Sequence, residues 1–309
     1  MSDKSKIEWT DATWNPITGC SVVSKGCTNC YAMKLAGTRL KNHASRVGLT
    51  SETAAGPVWS GEVRFNNEWL DKPFRWKKPR RIFVCAHSDL FHEKVPDAWI
   101  DQIFAVMASS PQHQFQILTK RPKRMQQYLS QDRRIDWADA CKGIGLDGAS
   151  NFLLERDKVL PNVWVGVSVE DQKTADERIP FLLKTPAAIR WISAEPILGA
   201  IDLNQDYLEG FHFGELLHWV VAGGESQTGS RPTHPSWFRQ LRDQCDRAGI
   251  PFLFKQWGDW KEPTEGIAST AKVATIGGGK LPEVAMVRVG KKTAGRLLDG
   301  KYHDAYPCL

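Results

Sequence analysis

The chain has 309 residues, is 41% hydrophobic and 25% charged, and carries a net charge of +6, which describes an ordinary globular protein with length for one large domain or two smaller ones. No apolar run approaches the roughly 18 residues needed to span a bilayer. Met1 to Lys6 is polar and charged with no apolar stretch behind it, so neither a membrane span nor a secretory signal is expected, and the expected location is the cytosol.

Short apolar runs recur along the chain, and each ends abruptly in polar residues. Trp14 to Thr18 is a candidate short strand that turns at Gly19. Arg81 to Ala86 ends in His87, Ser88 and Asp89, and Gln114 to Leu118 ends in Thr119, Lys120 and Arg121. Val163 to Val167 ends in Ser168, Val169 and Glu170, and Ile189 to Ile192 ends in Ser193, Ala194 and Glu195. His218 to Ala222 ends in Gly223, Gly224 and Glu225, and Pro251 to Phe254 ends in Lys255, Gln256 and Trp257. Helical patterns fill several of the gaps. Asp97 to Ser109 follows Pro96 with Trp99, Ile100, Ile103, Phe104 and Met107 at helical spacing; Asp171 to Leu183 and Pro235 to Ala248 are similar, the last closed by Gly249. The tryptophans Trp164, Trp191 and Trp219 fall inside strands and are expected in the core.

Strands apolar on both faces and alternating with helices indicate a parallel sheet. Six such strands, with a seventh near Trp14 to Thr18, suit an α/β fold, a complete or partial (β/α) barrel, spanning residues 1–260. An open doubly wound sheet is the alternative, and the chain lacks a Gly-x-Gly-x-x-Gly after the first strand. Residues 131–160 are long for a connection and are expected to be an insertion. Residues 261–309 form a C-terminal extension packed on the same domain, with a candidate strand at Val284 to Val289.

Ligands of parallel α/β folds bind at the carboxyl ends of the strands. Those ends supply Asp89, Thr119, Lys120, Ser168, Glu170, Glu195, Glu225, Ser226, Lys255 and Gln256. Any one of them could be a helix cap or a loop hydrogen bond. Charged groups set together on one rim are costly to desolvate, so the whole set indicates a polar site. Gly223 and Gly224 let backbone approach a ligand closely.

The most specific feature is a cysteine triad. Seven cysteines are present, an odd number with four scattered singly, which does not fit a disulfide framework. Six residues separate Cys20 from Cys27 and two separate Cys27 from Cys30. Three thiolates with no evident fourth fit a cubane iron–sulphur cluster with one open iron, which an exchangeable ligand needs. A structural zinc wants four ligands, and His43, Cys85 or His92 could complete one. Ligand softness does not separate the two.

Several segments resemble a phage- and prophage-encoded family with a three-cysteine motif. They are Ile7 to Pro16, Ser88 to Glu93, Leu118 to Pro122, Gly166 to Glu170, Gly223 to Ser226, Arg231 to Pro235 and Phe254 to Gly258. More distantly, a cysteine triad after a first strand, followed by repeated β/α units, resembles the radical S-adenosylmethionine superfamily. That resemblance implies a [4Fe-4S] cluster on Cys20, Cys27 and Cys30, with the open iron chelated by S-adenosylmethionine. It implies a 5′-deoxyadenosyl radical made with an electron from a reductant protein. The superfamily spacing is commonly three and two rather than six and two, and its Gly-Gly-Glu normally closes the second strand. Here Gly223, Gly224 and Glu225 close a late strand, and Ser88 and Asp89 stand at the second-strand position. The resemblance makes Ser88, Asp89, Ser168, Glu170, Gly223 and Gly224 candidate cofactor contacts, and leaves Lys120, Glu195, Glu225 and Lys255 as candidate catalytic residues.

Three functions compete. The first is a radical enzyme acting on a nucleic acid or nucleotide, for modification or repair, a substrate class suggested by the phage-like resemblance and the basic run Lys120 to Arg124. The second is a carboxylate-based metal-dependent hydrolase or nuclease with a structural zinc at the cysteines. The third is a non-catalytic zinc-containing binding protein. A second basic run, Arg75 to Arg81, precedes a strand and is expected away from the reacting group. The oligomeric state is open.

Overall fold

Runs that are apolar on both faces must be covered on both faces, and in the computed structural model they form a buried parallel sheet whose strands alternate with helices along the chain. The structure describes residues 4–146, 159–204, 207–208, 216–263, 271–278 and 281–308. Contact clustering divides the chain into two units, Met1–Val167 with Lys184–Arg190, and Ser168–Leu183 with Trp191–Leu309.

The first unit contains β1 (Ala12–Trp14), β2 (Ile17–Thr18), α1 (Tyr31–Gly37), β3 (Thr50–Thr53), β4 (Gly56–Trp59), β5 (Arg64–Phe65) and α2 (Lys72–Arg75). It continues with β6 (Arg81–Val84), α3 (Asp97–Ala108), β7 (Gln114–Thr119), α4 (Pro122–Leu129), α5 (Arg134–Gly143) and most of β8 (Val163–Val169). The second unit contains α6 (Gln172–Leu183), β9 (Ile189–Ala194, from Trp191 onward), β10 (Trp219–Gly223), α7 (Pro235–Ala248), β11 (Phe252–Gln256), β12 (Trp260–Lys261), β13 (Val273–Gly278), β14 (Leu281–Arg288) and α8 (Lys291–Ala294).

The seven parallel strands follow the order β1-β6-β7-β8-β9-β10-β11, so every neighbour in the sheet is the next parallel strand in the chain. The order begins at β1 and ends at β11, which makes the (β/α) architecture the partial form of the barrel. Every residue of β8 and β10 is buried, as expected of strands covered on both faces.

The first strand sits earlier than the sequence indicates. Ala12 to Trp14 pairs with Ile82 to Val84, whereas Ile17 and Thr18 leave the sheet and pair antiparallel with Phe65 and Arg64. Pro16 has no N–H for a ladder. Asn15 Oδ1 instead accepts the His87 N–H at 3.1 Å, and Asn66 Nδ2 donates to the Asn15 carbonyl at 3.2 Å. The remaining strands lie where expected: β6 stops at Val84, two residues short of the expected Ala86, and the others run one or two residues further, so that Thr119, Ser168, Ser193, Gly223 and Lys255 belong to strands.

The helices follow their sequence signals. In α7 the His234 side chain accepts the Ser236 N–H, Pro235 opens the first turn, and Gly249 closes the helix in the left-handed region at φ 67°. In α6 the Asp171 carboxylate accepts the Thr174 N–H at 3.0 Å. Within the stretch 131–160, α5 packs on α3: Trp137 stacks on Phe104 with ring centroids 5.1 Å apart, and Arg133 pairs with Asp101 at 2.6 Å. Residues 147–158 of that stretch lie outside the described residues.

In the second unit β12, β14 and β13 form an antiparallel sheet, and β14 covers most of the strand expected at Val284 to Val289. The tail runs back beside β11, where the Phe254 N–H donates to the His303 carbonyl at 2.9 Å and Leu253 bridges Asp304. Trp219 donates its indole N–H to the Ala305 carbonyl at 2.9 Å, which turns the buried face of β10 into an anchor for that tail. No helix among the described residues is long and apolar enough to cross a membrane.

Candidate metal centre and its surroundings

The cysteine triad begins directly after a glycine whose position has no room for a side chain. Gly19 has φ +94°, and a Cβ there would lie 2.2 Å from the Glu62 carbonyl oxygen. Its N–H donates to the His87 carbonyl at 3.2 Å and it bridges Ser88, which sets Cys20 directly beyond the carboxyl ends of β1 and β6. Cys27 ends a short 3-10 turn, with its N–H on the Ser24 carbonyl at 3.0 Å. The Cys30 N–H then donates to the Cys27 carbonyl at 3.2 Å, and Cys30 caps α1 in an extended conformation. Cys20 and Cys30 both pack against the apolar cluster of Ala32, Met33, Ala36, Leu49 and Trp59.

Burial pushes the Cys20 thiol up to about 12, with Asp89 adding to the rise, Arg121 opposing it and Cys30 contributing. Burial also raises Cys30, against which act the N–H groups of Met33 and Ala32 and the Lys120 ammonium, while Cys27 adds to the rise. Without a metal the Cys20 and Cys30 thiols keep their protons, and a metal that binds them must displace those protons. Among the described residues no three His, Cys, Asp or Glu side chains are gathered closely enough to hold a single metal ion.

A buried charge network backs Cys20. Arg121 donates from Nη1 to the Cys20 sulphur at 3.7 Å and to Asp89 Oδ2 at 3.0 Å, from Nε to Glu93 Oε1 at 2.8 Å, and from Nη2 to Ser21 Oγ at 2.6 Å. Burial alone would lower the Arg121 pKa, but Asp89, Cys20 and Glu93 outweigh it and hold the guanidinium above its ordinary value. Asp89 is fixed in turn by the Phe91 N–H at 3.0 Å, the Thr119 hydroxyl at 2.6 Å and the Lys120 N–H at 3.0 Å. Ser88 donates its hydroxyl to the Ile17 carbonyl at 3.0 Å. The candidate fourth ligands have other partners. His43 Nδ1 lies 2.7 Å from Ser45 Oγ, and His92 Nε2 lies 3.0 Å from Ser21 Oγ. Burial drives Cys85 up to about 12, with the Ser88 hydroxyl opposing.

In the second unit each candidate carboxylate already has a cation. Glu170 pairs with Arg178 at 3.1 Å, and both side chains are buried. The same Arg178 donates to the Ser168 carbonyl at 2.6 Å, and Ser168 Oγ donates to the Glu195 carbonyl at 3.2 Å. Glu225 accepts Arg231 Nε at 2.9 Å, Arg231 Nη2 at 2.5 Å and the Arg231 backbone N–H at 2.9 Å. Glu195 pairs with Lys255 at 2.6 Å, and their side chains are 18% and 13% exposed, more open than the Glu170 pair at 1% and 6%. The paired glycines have local reasons. A Cβ at Gly223 would stand 3.2 Å from Glu195 Oε1, and one at Gly224 would stand 2.0 Å from the Trp257 carbonyl oxygen.

Sequence reasoning groups Arg121 with a basic run rather than with the cysteines, and passes over Ser21, Arg178 and Arg231. Only the Thr-Lys-Arg-Pro order directly after an apolar strand distinguishes Arg121. In that run Arg121 is buried and Arg124 is spent on the His92 and Val95 carbonyls and on Asp97, which leaves Lys123 as its exposed cation.

Compared with known proteins, the chain matches no curated protein. Among solved structures it is similar to spore photoproduct lyase complexed with dinucleoside spore photoproduct, at 11% identity and a TM-score of 0.41, covering 95% of this chain and 72% of that one. A cysteine-to-alanine variant of the same lyase aligns at 10% identity and a TM-score of 0.42 over the same shares of the two chains. A family model described as protein of unknown function, DUF5131, matches residues 4–307, and the chain belongs to that family.

Proposed function

We propose that this protein is a radical S-adenosylmethionine enzyme in which Cys20, Cys27 and Cys30 hold a [4Fe-4S] cluster. The observation that carries the reading is the thiol series itself. Cys20 stands beyond the carboxyl ends of β1 and β6 with the Arg121 guanidinium 3.7 Å from its sulphur, and Cys27 and Cys30 follow in one turn, joined by the Cys30 N–H on the Cys27 carbonyl at 3.2 Å. The donor set fits the group: three soft ligands, largely shielded by an apolar cluster, with cations to offset thiolate charge. A single zinc bound at ~2.3 Å would draw its sulphurs to within about 4 Å of one another, a closer gathering than a cluster with its own span requires.

When bound, the cluster and S-adenosylmethionine supply reductive cleavage of the sulphonium and a 5′-deoxyadenosyl radical that takes hydrogen from substrate. The chain's own residues orient and shield. Asp89, whose carboxylate already accepts four hydrogen bonds, acts by holding Arg121. Ser88 keeps the loop after β6 against Ile17. Lys120 offsets charge at Cys30. In the second unit the Glu195–Lys255 pair is the carboxylate–cation pair proposed to meet substrate, since Glu170 and Glu225 are closed off by Arg178 and Arg231. Those same pairings weigh against the hydrolase reading, because a divalent ion would have to break each one before it could bind.

The proposed substrate class is a nucleic acid or nucleotide. The exposed cations Arg75, Lys77 and Lys78 beside exposed Phe74, with Arg80 over the Trp76 ring at 4.9 Å, offer a phosphate-binding surface; they precede β6, so they would hold a long nucleic acid away from the reacting group rather than at it. The test is an anaerobic assay of the intact protein with dithionite and S-adenosylmethionine. Formation of 5′-deoxyadenosine is expected, and a colourless, zinc-loaded protein with full activity would overturn the reading.

A further inference from the structure

Ser21 holds a proton that its neighbours cannot accept. The Arg121 guanidinium is a donor only, so Ser21 Oγ accepts from Nη2 at 2.6 Å. His92 Nδ1 accepts the Lys94 backbone N–H at 3.1 Å, so a neutral ring carries its hydrogen on Nε2 and donates it to Ser21 Oγ at 3.0 Å. Burial, then Arg121, keeps His92 below its ordinary pKa, in agreement with a neutral ring. Both acceptor positions of the hydroxyl are thereby filled, and its own O–H has no acceptor among the described residues. Ser21 follows Cys20 directly, and Arg121 Nη1 points at the Cys20 sulphur from 3.7 Å.

Asp89 and Glu93 offset most of the long-range charge of Arg121, since they lie 3.0 and 2.8 Å from it. What remains near Cys20 is short-range: one N–H directed at the sulphur and, on the residue that follows, one O–H whose oxygen is fixed by two donors. Hydrogen bonds to cluster sulphurs stabilise the more negative, reduced form and raise the potential.

We infer that Arg121 and Ser21 form a donor pair that sets the reduction potential of a cluster ligated by Cys20, with Asp89, Glu93 and His92 as the residues that position the pair. This rests on the reading of the cysteines as an iron–sulphur site, and the two are separable by experiment. Iron, sulphide and midpoint potential are measured on the anaerobic full-length protein and on S21A, R121K and R121Q, using a mediated redox titration followed by visible absorbance and electron paramagnetic resonance. Expected are wild-type iron and sulphide contents in S21A and R121K, with midpoints shifted to more negative values in both. R121K should shift more than S21A, because one ammonium cannot serve Asp89, Glu93, Ser21 and Cys20 together. R121Q should shift furthest, and where R121Q does not fold the other two variants decide. Fully loaded S21A and R121K with the wild-type midpoint would overturn the inference and leave the cluster reading intact. Loss of the cluster from S21A would overturn it as well, since the hydroxyl would then hold the site together rather than tune it. A wild-type protein that takes up no iron or sulphide would overturn the underlying reading.

Discussion

Arg121 donates from Nη1 to Asp89 Oδ2 at 3.0 Å, and the two side chains are only 6% and 7% exposed. A buried pair of this kind adds little over an apolar core, but removing one partner strands the other charge. Replacing Asp89 with Ala is therefore expected to cost about 3–5 kcal/mol in urea unfolding. Asp89→Asn, which keeps the shape and some of the hydrogen bonds, should cost less. A loss below about 1 kcal/mol for Asp89→Ala would show that the network is not what orders the loop beyond β6 and β7.

Two glycines separate a steric requirement from a free position. A Cβ on Gly224 would overlap the Trp257 carbonyl at 2.0 Å, whereas one on Gly143, at the end of α5, meets nothing within 4 Å. Gly224→Ala is expected to destabilise by about 2 kcal/mol or more. Gly143→Ala is expected to be neutral or to stabilise by about 0.5–1 kcal/mol, as helix propensity and unfolded-chain entropy dictate. Thermal unfolding of the two variants side by side checks both. Equal behaviour would contradict the role assigned to Gly224.

His87 gives the stability a pH dependence of known sign. Burial, and after it the nearby Arg46 guanidinium, pushes the imidazole down to about 3, and Arg46 Nη2 donates to its Nδ1 at 2.6 Å. The unfolded chain takes up this proton below about pH 6.5 and the folded protein does not until about pH 3. Stability is therefore lost as pH falls through that window. His87→Gln should lose about 2 kcal/mol less than the wild type between pH 7.5 and 5.0 in urea titrations. Parallel losses in the two proteins would refute the assignment.

The proposed nucleic-acid contact has its own readout. Lys77→Glu with Lys78→Glu should weaken binding of a DNA oligonucleotide uniformly across sequences and lower the salt slope of log K by roughly two. Binding by the double variant with an unchanged slope would remove Arg75 to Arg81 from the interface.

The sheet was legible because runs such as Val163 to Val169 and Trp219 to Gly223 are buried on both faces and admit one reading. The first strand was legible in existence and misplaced in position, since three residues carry no periodicity and the consequences of Pro16 depend on Asn66, fifty residues away. The cysteines announced themselves by spacing, while their surroundings did not. Asp89 meets Arg121 across 32 residues and Glu195 meets Lys255 across 60, and no local pattern encodes such a pair. The Gly-Gly pair carries a second, steric reason that its sequence does not announce. It reads as room for a ligand, and Gly224 also makes room for the backbone at Trp257.

The most direct measurement is the iron and acid-labile sulphide content of protein purified without oxygen, compared between the wild type and Cys27→Ala. About four iron and four sulphide per wild-type chain, with both lost in the variant, is the expected result. A wild-type chain that binds one zinc and no sulphide, or a Cys27→Ala variant that keeps its full complement of iron, would contradict the assignment of Cys20, Cys27 and Cys30 as cluster ligands.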